Sequence, residues 1–183
     1  MAKINTGQEA QRVTAVLEGD RIIVKDPKEA RRIHEETRCG DFEEGGLILD
    51  EAEALYLLEK GKLRIINKEG AELTMDKLAI TLAKKDPYVW IRYLVYSDLR
   101  KRGYYLKPLP SPYPCFMLYA RGADPEYSTS KYLVYAVVEG IKLDFRELER
   151  ISEKARRLRK ELILAVLDRQ GEIAYYTVSS ITL

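Results

Sequence analysis

Histidine is scarce in this chain, because one residue of the 183, His34, is of that type. Histidine is the side chain whose ordinary pKa permits proton transfer near neutral pH. Cysteine is also scarce, and Cys39 and Cys115 lie far apart and outside any CxxC pair. This spacing indicates reduced structural thiols and argues against a metal site. The sequence contains no P-loop and no GxGxxG motif, so we expect neither a metal nor a cofactor.

Long apolar runs are missing as well. No stretch of about 18 apolar residues occurs, and the first residues lack the layout of a secretory signal. We therefore expect a cytoplasmic protein without a membrane segment. Asparagine and glutamine are few while Glu, Lys and Arg abound, which is typical of thermophilic proteins. Charged residues make up 33% of the chain but the net charge is +2, so any affinity for nucleic acid must come from local clusters of cations.

The composition, 46% hydrophobic over 183 residues, is sufficient for a buried core. Asp86-Pro87 interrupts the pattern of helices and strands and predicts a domain boundary. We expect an α+β fold: a small N-terminal mixed domain over 1–85, and a C-terminal domain over 86–183 with a mixed or antiparallel sheet flanked by helices.

Periodicity and end signals predict the elements of both domains. In the first domain we expect a frayed start to about residue 12, a strand (21–25), a helix capped by Asp26 (27–37), a loop (39–46), a helix capped by Asp50 and ended by Gly61, a strand (63–66) and a helix (74–84). In the second we expect a helix (88–102), three strands (104–107, 115–119, 132–139), a helix opened by a capping box at Asp144 and Glu147, and two strands (161–168, 172–179) joined at Gly171.

Four segments, in their order and spacing, resemble the archaeal tRNA-splicing endonucleases. They are EALYLLEKGKL (53–63), YLVYSDLRKRGYYLK (93–107), CFMLYARG (115–122) and RKELILAVLDRQGEIAYYTVS (159–179). The resemblance covers most of the chain and implies a nuclease-like fold. The chain differs from that family at Pro110–Pro114, where a proline-containing segment replaces the Gly-rich stretch expected before the third segment.

The resemblance places Tyr119 and Lys160 at the catalytic tyrosine and lysine positions of that family. The family carries a histidine ten residues after the tyrosine, in a His-Ser-x-Tyr-Leu-Val setting. Here the setting reads Thr129-Ser-Lys-Tyr-Leu-Val134, so Thr129 stands at the histidine position. Cleavage by an adjacent 2′-hydroxyl needs a base and an acid, and a threonine hydroxyl does not titrate near neutral pH.

We therefore interpret the chain as the non-catalytic, structural subunit of a heterotetrameric tRNA-splicing endonuclease, not an enzyme by itself. The resemblance implies a catalytic paralogue as partner, with two copies of each subunit, and precursor tRNA folded as bulge-helix-bulge as substrate. The paralogue would leave 2′,3′-cyclic phosphate and 5′-hydroxyl ends. Tyr127, near Thr129, is a poor substitute base because tyrosine ordinarily titrates near pH 10.

Two groups of residues are candidate binding sites. A basic run near the end of the fifth predicted helix contains Arg156, Arg157 and Arg159; it is either a solvated helix end or a phosphate-contacting face. By the resemblance, the acidic turn at Asp168 and Glu172 docks on another subunit. The last strand, beginning near Tyr175 and Tyr176 and running to Leu183, pairs with a partner's edge.

Two alternatives stay open. A stand-alone RNA-binding or scaffold protein on the same fold would be favoured if the basic run formed one continuous exposed surface. An active homo-oligomer using Tyr119 and Lys160 would need a titrating group near Thr129 to act as an unconventional base.

Overall fold

A computed structural model describes residues 12–109 and 115–178 of the protein. The predicted frayed start, the Pro110–Pro114 segment and the last five residues of the predicted edge strand lie outside these described residues. The chain divides into two compact units, Met1–Ile80 and Thr81–Leu183. Nowhere in the described ranges is a helix long and apolar enough to cross a bilayer.

The first unit is a five-stranded mixed sheet with helices. Its strands follow the order β3-β4-β2-β1-β5, in which β1 and β5 are parallel and the other neighbours are antiparallel. The elements are β1 (Val13–Glu18), β2 (Arg21–Val24), α1 (Pro27–Thr37), β3 (Asp41–Glu43), β4 (Gly46–Leu49), α2 (Glu51–Glu59), β5 (Leu63–Ile66) and α3 (Met75–Ala83), whose last residues continue into the second unit.

Both predicted helix caps of the first unit are present. The Asp26 carboxylate accepts hydrogen bonds from the backbone N–H groups of Lys28 and Glu29, at 3.0 and 2.8 Å, and Pro27 occupies the first turn. These bonds satisfy donors that the start of a helix leaves without partners. Asp50 caps α2 in the same way, and Glu53 returns a bond to the Asp50 N–H, which completes a capping box that the sequence analysis did not predict.

One prediction for the first unit was wrong, and its first strand was not predicted. The strand Val13–Glu18 was missed, although Val13, Ala15 and Leu17 alternate with more exposed residues and form the buried face of β1. The predicted loop over 39–46 contains β3, which pairs with β4 from Gly46 onward. All three β3 residues are exposed, so an edge strand of this kind carries no apolar alternation to reveal it.

The second unit is also a five-stranded mixed sheet, in the order β10-β9-β8-β7-β6. β8 and β9 are parallel and are joined by α5, while the other neighbours are antiparallel, as the predicted mixed sheet requires. The elements are α4 (Val89–Lys101), β6 (Leu106–Pro108), β7 (Cys115–Leu118), β8 (Tyr132–Val138), α5 (Phe145–Arg157), β9 (Glu161–Leu167) and β10 (Ile173–Val178).

One core cluster of this unit lies between α5 and the sheet. Ile151 and Ala155 of α5 pack with Cys115, Leu133 and Leu162 of the strands. Both cysteines are free and buried, and burial raises the pKa of the Cys115 thiol to about 12, so it behaves as an apolar packing group. This confirms the prediction of structural thiols.

The start of α5 agrees in part with the predicted capping box. The Asp144 carboxylate caps the helix through the Arg146 N–H at 3.0 Å. The Glu147 carboxylate accepts instead from the Tyr135 hydroxyl of β8, at 2.5 Å. Glu147 therefore ties the helix to the sheet, a contact that depends on the tertiary structure.

Candidate functional site

A groove forms where the parallel strands β8 and β9 begin. Because neighbouring parallel strands start at the same edge of a sheet, the residues just before Tyr132 and Glu161 meet there. The Glu161 N–H donates to the Lys131 carbonyl at 3.2 Å, which joins the two approaches. The C-terminal end of α5 lies at the same edge, because the helix is followed directly by β9.

The groove has a volume of about 650 Å³ and contains mainly cations. We call it the basic groove and define it by its lining: Ala120, Thr129, Ser130, Lys131, Arg156, Arg159, Lys160 and Glu161. Four cations against one carboxylate make the local charge strongly positive, although the whole chain is almost neutral. This concentration of charge is the local cluster that binding to a polyanion requires.

Lys160 is held in the groove by the loop opposite. Its Nζ donates to the Ser130 carbonyl at 2.7 Å, and its backbone N–H closes the end of α5 by donating to the Ala155 carbonyl at 2.9 Å. The ammonium group retains two further N–H donors, since lysine has three. The side chain is thus oriented by the protein and can still bind an anion.

Arg159 has an unusual backbone. Its φ of 55° lies in the left-handed region, at the position just after α5 that most often holds glycine. A residue with a Cβ is disfavoured there by roughly 1–2 kcal/mol. The Arg156 and Arg159 side chains form no ion pair with any residue of the described ranges, which leaves both guanidinium groups available to a ligand.

Thr129 and Lys160, two of the three positions suggested by the family resemblance, line the same groove. Tyr119 is not among the lining residues: it follows β7, it is 7% exposed, and its N–H donates to the Tyr105 carbonyl at 3.0 Å. Its neighbour Ala120 is the residue that reaches the groove. The structure therefore brings the threonine and the lysine together and buries the tyrosine beside them.

The groove can bind anions, but its means of moving protons are limited. Besides the cations, the lining contains two hydroxyl groups and the Glu161 carboxylate, whose oxygen lies 3.9 Å from Lys131 Nζ. The single histidine is elsewhere: His34 belongs to the first unit, its Nδ1–H donates to the Cys39 carbonyl at 2.9 Å, and its ring packs edge-on against Phe42. Within the described ranges, no group of three His, Cys, Asp or Glu side chains could hold a metal ion.

The predicted basic run divides into two parts. Arg156 and Arg159 line the groove, whereas Arg157 is absent from the lining and forms an i,i+4 pair with Glu153 at 3.7 Å. Ser130 and Lys131 were not predicted as site residues from the sequence. Their position just before a strand that runs parallel to β9 could have identified them, had the parallel pairing been predicted.

The acidic turn between β9 and β10 is stabilised by one of its own carboxylates. Asp168 Oδ1 accepts from the N–H groups of Gln170 and Glu172, both at 2.8 Å. Gly171 adopts a φ of 88°, which the turn requires and which glycine tolerates. Asp168 is thus a structural residue of the turn, while the Glu172 side chain is exposed.

The two tyrosines of β10 have different surroundings. The Tyr175 hydroxyl donates to Asp98 Oδ2 of α4 at 2.6 Å, and the Arg102 guanidinium lies 5.5 Å from its ring. Burial, together with the Asp98 carboxylate, raises the pKa of Tyr175. Tyr176 points to the other face and is 58% exposed. Tyr175 therefore connects β10 to α4, and Tyr176 remains open to a partner.

Fold and groove together define the class: an α+β protein of two units, the second of which carries a positively charged groove. Two family models match the chain, the N-terminal domain of tRNA intron endonuclease over residues 13–79 and its catalytic C-terminal domain over residues 89–175. The chain belongs to the tRNA intron endonuclease family.

Similar proteins named tRNA-splicing endonuclease occur in several archaea. The protein of Thermococcus onnurineus is 32% identical over 162 residues, covering 88% of this chain and 92% of that protein. The protein of Pyrococcus furiosus is 34% identical over the same coverage. A relative from Methanosarcina acetivorans is 33% identical over 165 residues, which make up 90% of this chain but 45% of that longer protein.

Proposed function

We propose that this chain is the non-catalytic subunit of a tRNA-splicing endonuclease, which supports a catalytic paralogue in removing introns from precursor tRNA. The complex would contain two copies of each subunit, would act in the cytoplasm and would cut RNA folded as bulge-helix-bulge. The paralogue would supply the tyrosine, histidine and lysine and would leave 2′,3′-cyclic phosphate and 5′-hydroxyl ends.

One observation carries this proposal: Thr129 occupies the basic groove beside Lys160, at the position where the family resemblance expects a histidine. The groove retains positive charge for a phosphate but has a hydroxyl in place of the proton-transfer group. Because general acid–base catalysis typically contributes about 10²–10⁴-fold to a rate, its loss leaves a site suited to holding RNA without cutting it.

The proposed assembly surfaces are the turn and the strand that end the described chain. β10 pairs with β9 on one side and is the edge of the described sheet. Its free backbone groups and the exposed Tyr176 are suited to pairing with another subunit. Glu172 would dock in a cationic recess of the partner, while Asp168 holds the turn in shape.

Cleavage tests the proposal directly. The purified chain alone should leave a bulge-helix-bulge RNA intact in a single-turnover assay, and a mixture with the catalytic paralogue should cut it. Truncation after Val178 preserves the described pairing of β10 with β9. It removes the last five residues of the predicted edge strand and should therefore weaken assembly, as measured by light scattering. Robust cleavage by the chain alone would refute the non-catalytic role.

A cleaving chain would point to the active homo-oligomer instead. Glu161 is then the candidate base, because it is the carboxylate in the groove lining. The Glu161→Gln variant, which keeps the size of the side chain, would abolish that cleavage. Under the proposed function the same substitution leaves cleavage by the assembled complex essentially unchanged.

The stand-alone RNA-binding protein remains the second candidate, since Arg156, Arg159 and the two lysines line one groove. On that alternative, neutralising Arg156 and Arg159 should impair function more than truncating the chain after Val178. It should also reduce the salt dependence of RNA affinity, because phosphate contacts are lost. Arg157→Ala is the matched control, since it removes the same charge from the same helix outside the groove.

A further inference from the structure

The segment that leads into the basic groove exposes a large aromatic side chain. Tyr127 is 85% exposed, the highest fraction among the exposed large hydrophobic residues of the described chain. It lies in the connection between β7 and β8, two residues before Thr129. A planar ligand that covers an exposed tyrosine ring buries the apolar faces of that ring, which is favourable.

The backbone around Tyr127 is held in place. The Tyr127 N–H donates to the Asp124 carbonyl at 3.1 Å, and the Glu126 N–H donates to the Asp124 carboxylate at 3.0 Å. Farther along, the Lys131 N–H donates to the Leu118 carbonyl at 3.0 Å and closes the base of the connection. A platform that is already ordered loses little conformational entropy when it binds.

The backbone at Tyr127 lies close to the groove. Two residues of extended chain span at most about 7 Å, so the Cα of Tyr127 lies within that distance of the Cα of Thr129, a lining residue. A ligand with a phosphate on the groove cations and a planar base nearby can reach both. Nucleotides of an unpaired RNA segment have this arrangement.

The cations that would hold a phosphate lie in the groove. Arg156, Arg159 and Lys160 line it, whereas the chain neighbours of Tyr127 are Glu126 and Ser128. A phosphate bound by the groove cations therefore leaves the exposed ring of Tyr127 available to a base.

We infer that Tyr127 is a base-stacking residue, which holds the base of an unpaired nucleotide whose phosphate lies in the basic groove. The inference deepens the proposed function and rests on it, because it names how this chain would grip RNA that it does not cut. It assigns Tyr127 a positioning role and requires no proton transfer.

The test compares two probes: a single-stranded oligoribonucleotide, and the same backbone with abasic sugars that retain every phosphate. Tyr127→Ala in the full chain should weaken binding of the first probe about tenfold, because stacking one base on an aromatic ring is worth about 1–3 kcal/mol. Binding of the abasic probe should not change. Tyr127→Phe should retain wild-type affinity, since it keeps the ring.

Phe145→Ala is the matched control, because Phe145 is another highly exposed aromatic residue of the second unit, at the start of α5. It should bind both probes like the wild type. Thermal melting should show every variant folded, as an exposed side chain contributes little to stability. Wild-type affinity of Tyr127→Ala for the first probe, or equal losses on both probes, would overturn the inference.

Two other outcomes would also count against it. Normal RNA binding by Tyr127→Ala combined with impaired assembly with the paralogue would assign the ring to a protein contact. Failure of the wild-type chain to bind either probe would overturn the inference too, since ring and groove belong to one chain. Neither result decides the cleavage test, so the proposed function and this inference can fail separately.

Discussion

A buried carboxyl group of the first unit has its partners within the chain, whereas two arginines of the second unit face solvent. Glu53 is 4% exposed, and its carboxylate accepts from the N–H groups of Gly40 and Asp50 at 2.9 and 3.1 Å. Arg156 and Arg159 line an open groove without an ion pair in the described ranges. The Glu53 carboxyl group stabilises the fold, whereas the two guanidinium groups are accessible to a ligand.

The two left-handed arginines sharpen this comparison. Arg38, in the first unit, follows α1 with a φ of 58°, and Arg159, in the second, follows α5 with a φ of 55°. The backbone cost at the two positions is similar, but Arg159 belongs to the groove lining. The comparison therefore predicts that replacing Arg159 by glycine affects binding, whereas replacing Arg38 by glycine does not.

The largest effect on stability is expected at Glu53. Glu53→Ala leaves two partly buried N–H donors without their acceptor and removes half of a capping box, at a cost of about 2–4 kcal/mol. Glu53→Gln keeps an acceptor oxygen and should cost much less at neutral pH. Denaturant unfolding measures both. A small loss for Glu53→Ala would contradict the structural role assigned to this carboxylate.

The same residue gives the stability a pH dependence. Burial, assisted by the nearby Asp50 carboxylate, raises the pKa of Glu53 from about 4.5 to about 8. A carboxyl group with a raised folded pKa contributes stability that is fully present below pH 4.5 and is lost as the pH rises toward 8. Unfolding free energy should therefore fall over that range in the wild type more steeply than in Glu53→Gln.

A smaller effect is expected at the acidic turn. Asp168→Lys removes the acceptor of two backbone N–H groups and should cost about 1–2 kcal/mol. Asp168→Asn keeps the acceptor oxygen but removes the charge, and Glu172→Lys reverses an exposed charge; both should leave stability within about 0.5 kcal/mol. Only Glu172→Lys should then weaken assembly with the paralogue strongly. If Asp168→Asn weakened assembly as much as Glu172→Lys, the Asp168 carboxylate would be the docking group.

The smallest expected effect, a gain, concerns the two arginines. Arg159→Gly should stabilise the chain by about 0.5–1 kcal/mol, because glycine adopts the left-handed conformation without strain. Arg159→Gly should also weaken RNA binding, whereas Arg38→Gly should not. Thermal melting and titration with a single-stranded oligoribonucleotide measure the two properties. Unchanged RNA affinity in Arg159→Gly would remove the functional reason for the strained arginine.

Sequence patterns predicted the elements with local signals well. Pro27 and Asp26 start α1, Gly103 follows α4 with a φ of 85°, and Gly171 lies in the final hairpin turn. These signals act through neighbouring residues, so they do not depend on the rest of the fold. No element was assigned to the residues of β1 or β4, and β3 was placed in a loop because it is an exposed edge strand.

Site residues could be predicted only in part, for a related reason. The sequence supplied Thr129 and Lys160 through the family resemblance, and the structure places both in one groove. The sequence also predicted that Arg157 binds RNA and that Asp168 docks on another subunit. In the structure Arg157 pairs with Glu153, and Asp168 stabilises its own turn. Linear spacing gives the charge of a segment but not which side chains share a surface.

By itself, the sequence determined the α+β class, the helix ends, the scarcity of histidine and the family resemblance, because each follows from residue type and local order. The tertiary structure alone decided that Lys131 and Ser130 join Arg156, Arg159 and Lys160. Those residues come from a strand approach and a helix end that are about thirty positions apart, and the parallel pairing of β8 with β9 brings them together. That long-range pairing, which no local pattern encodes, is the physical reason that the groove exists.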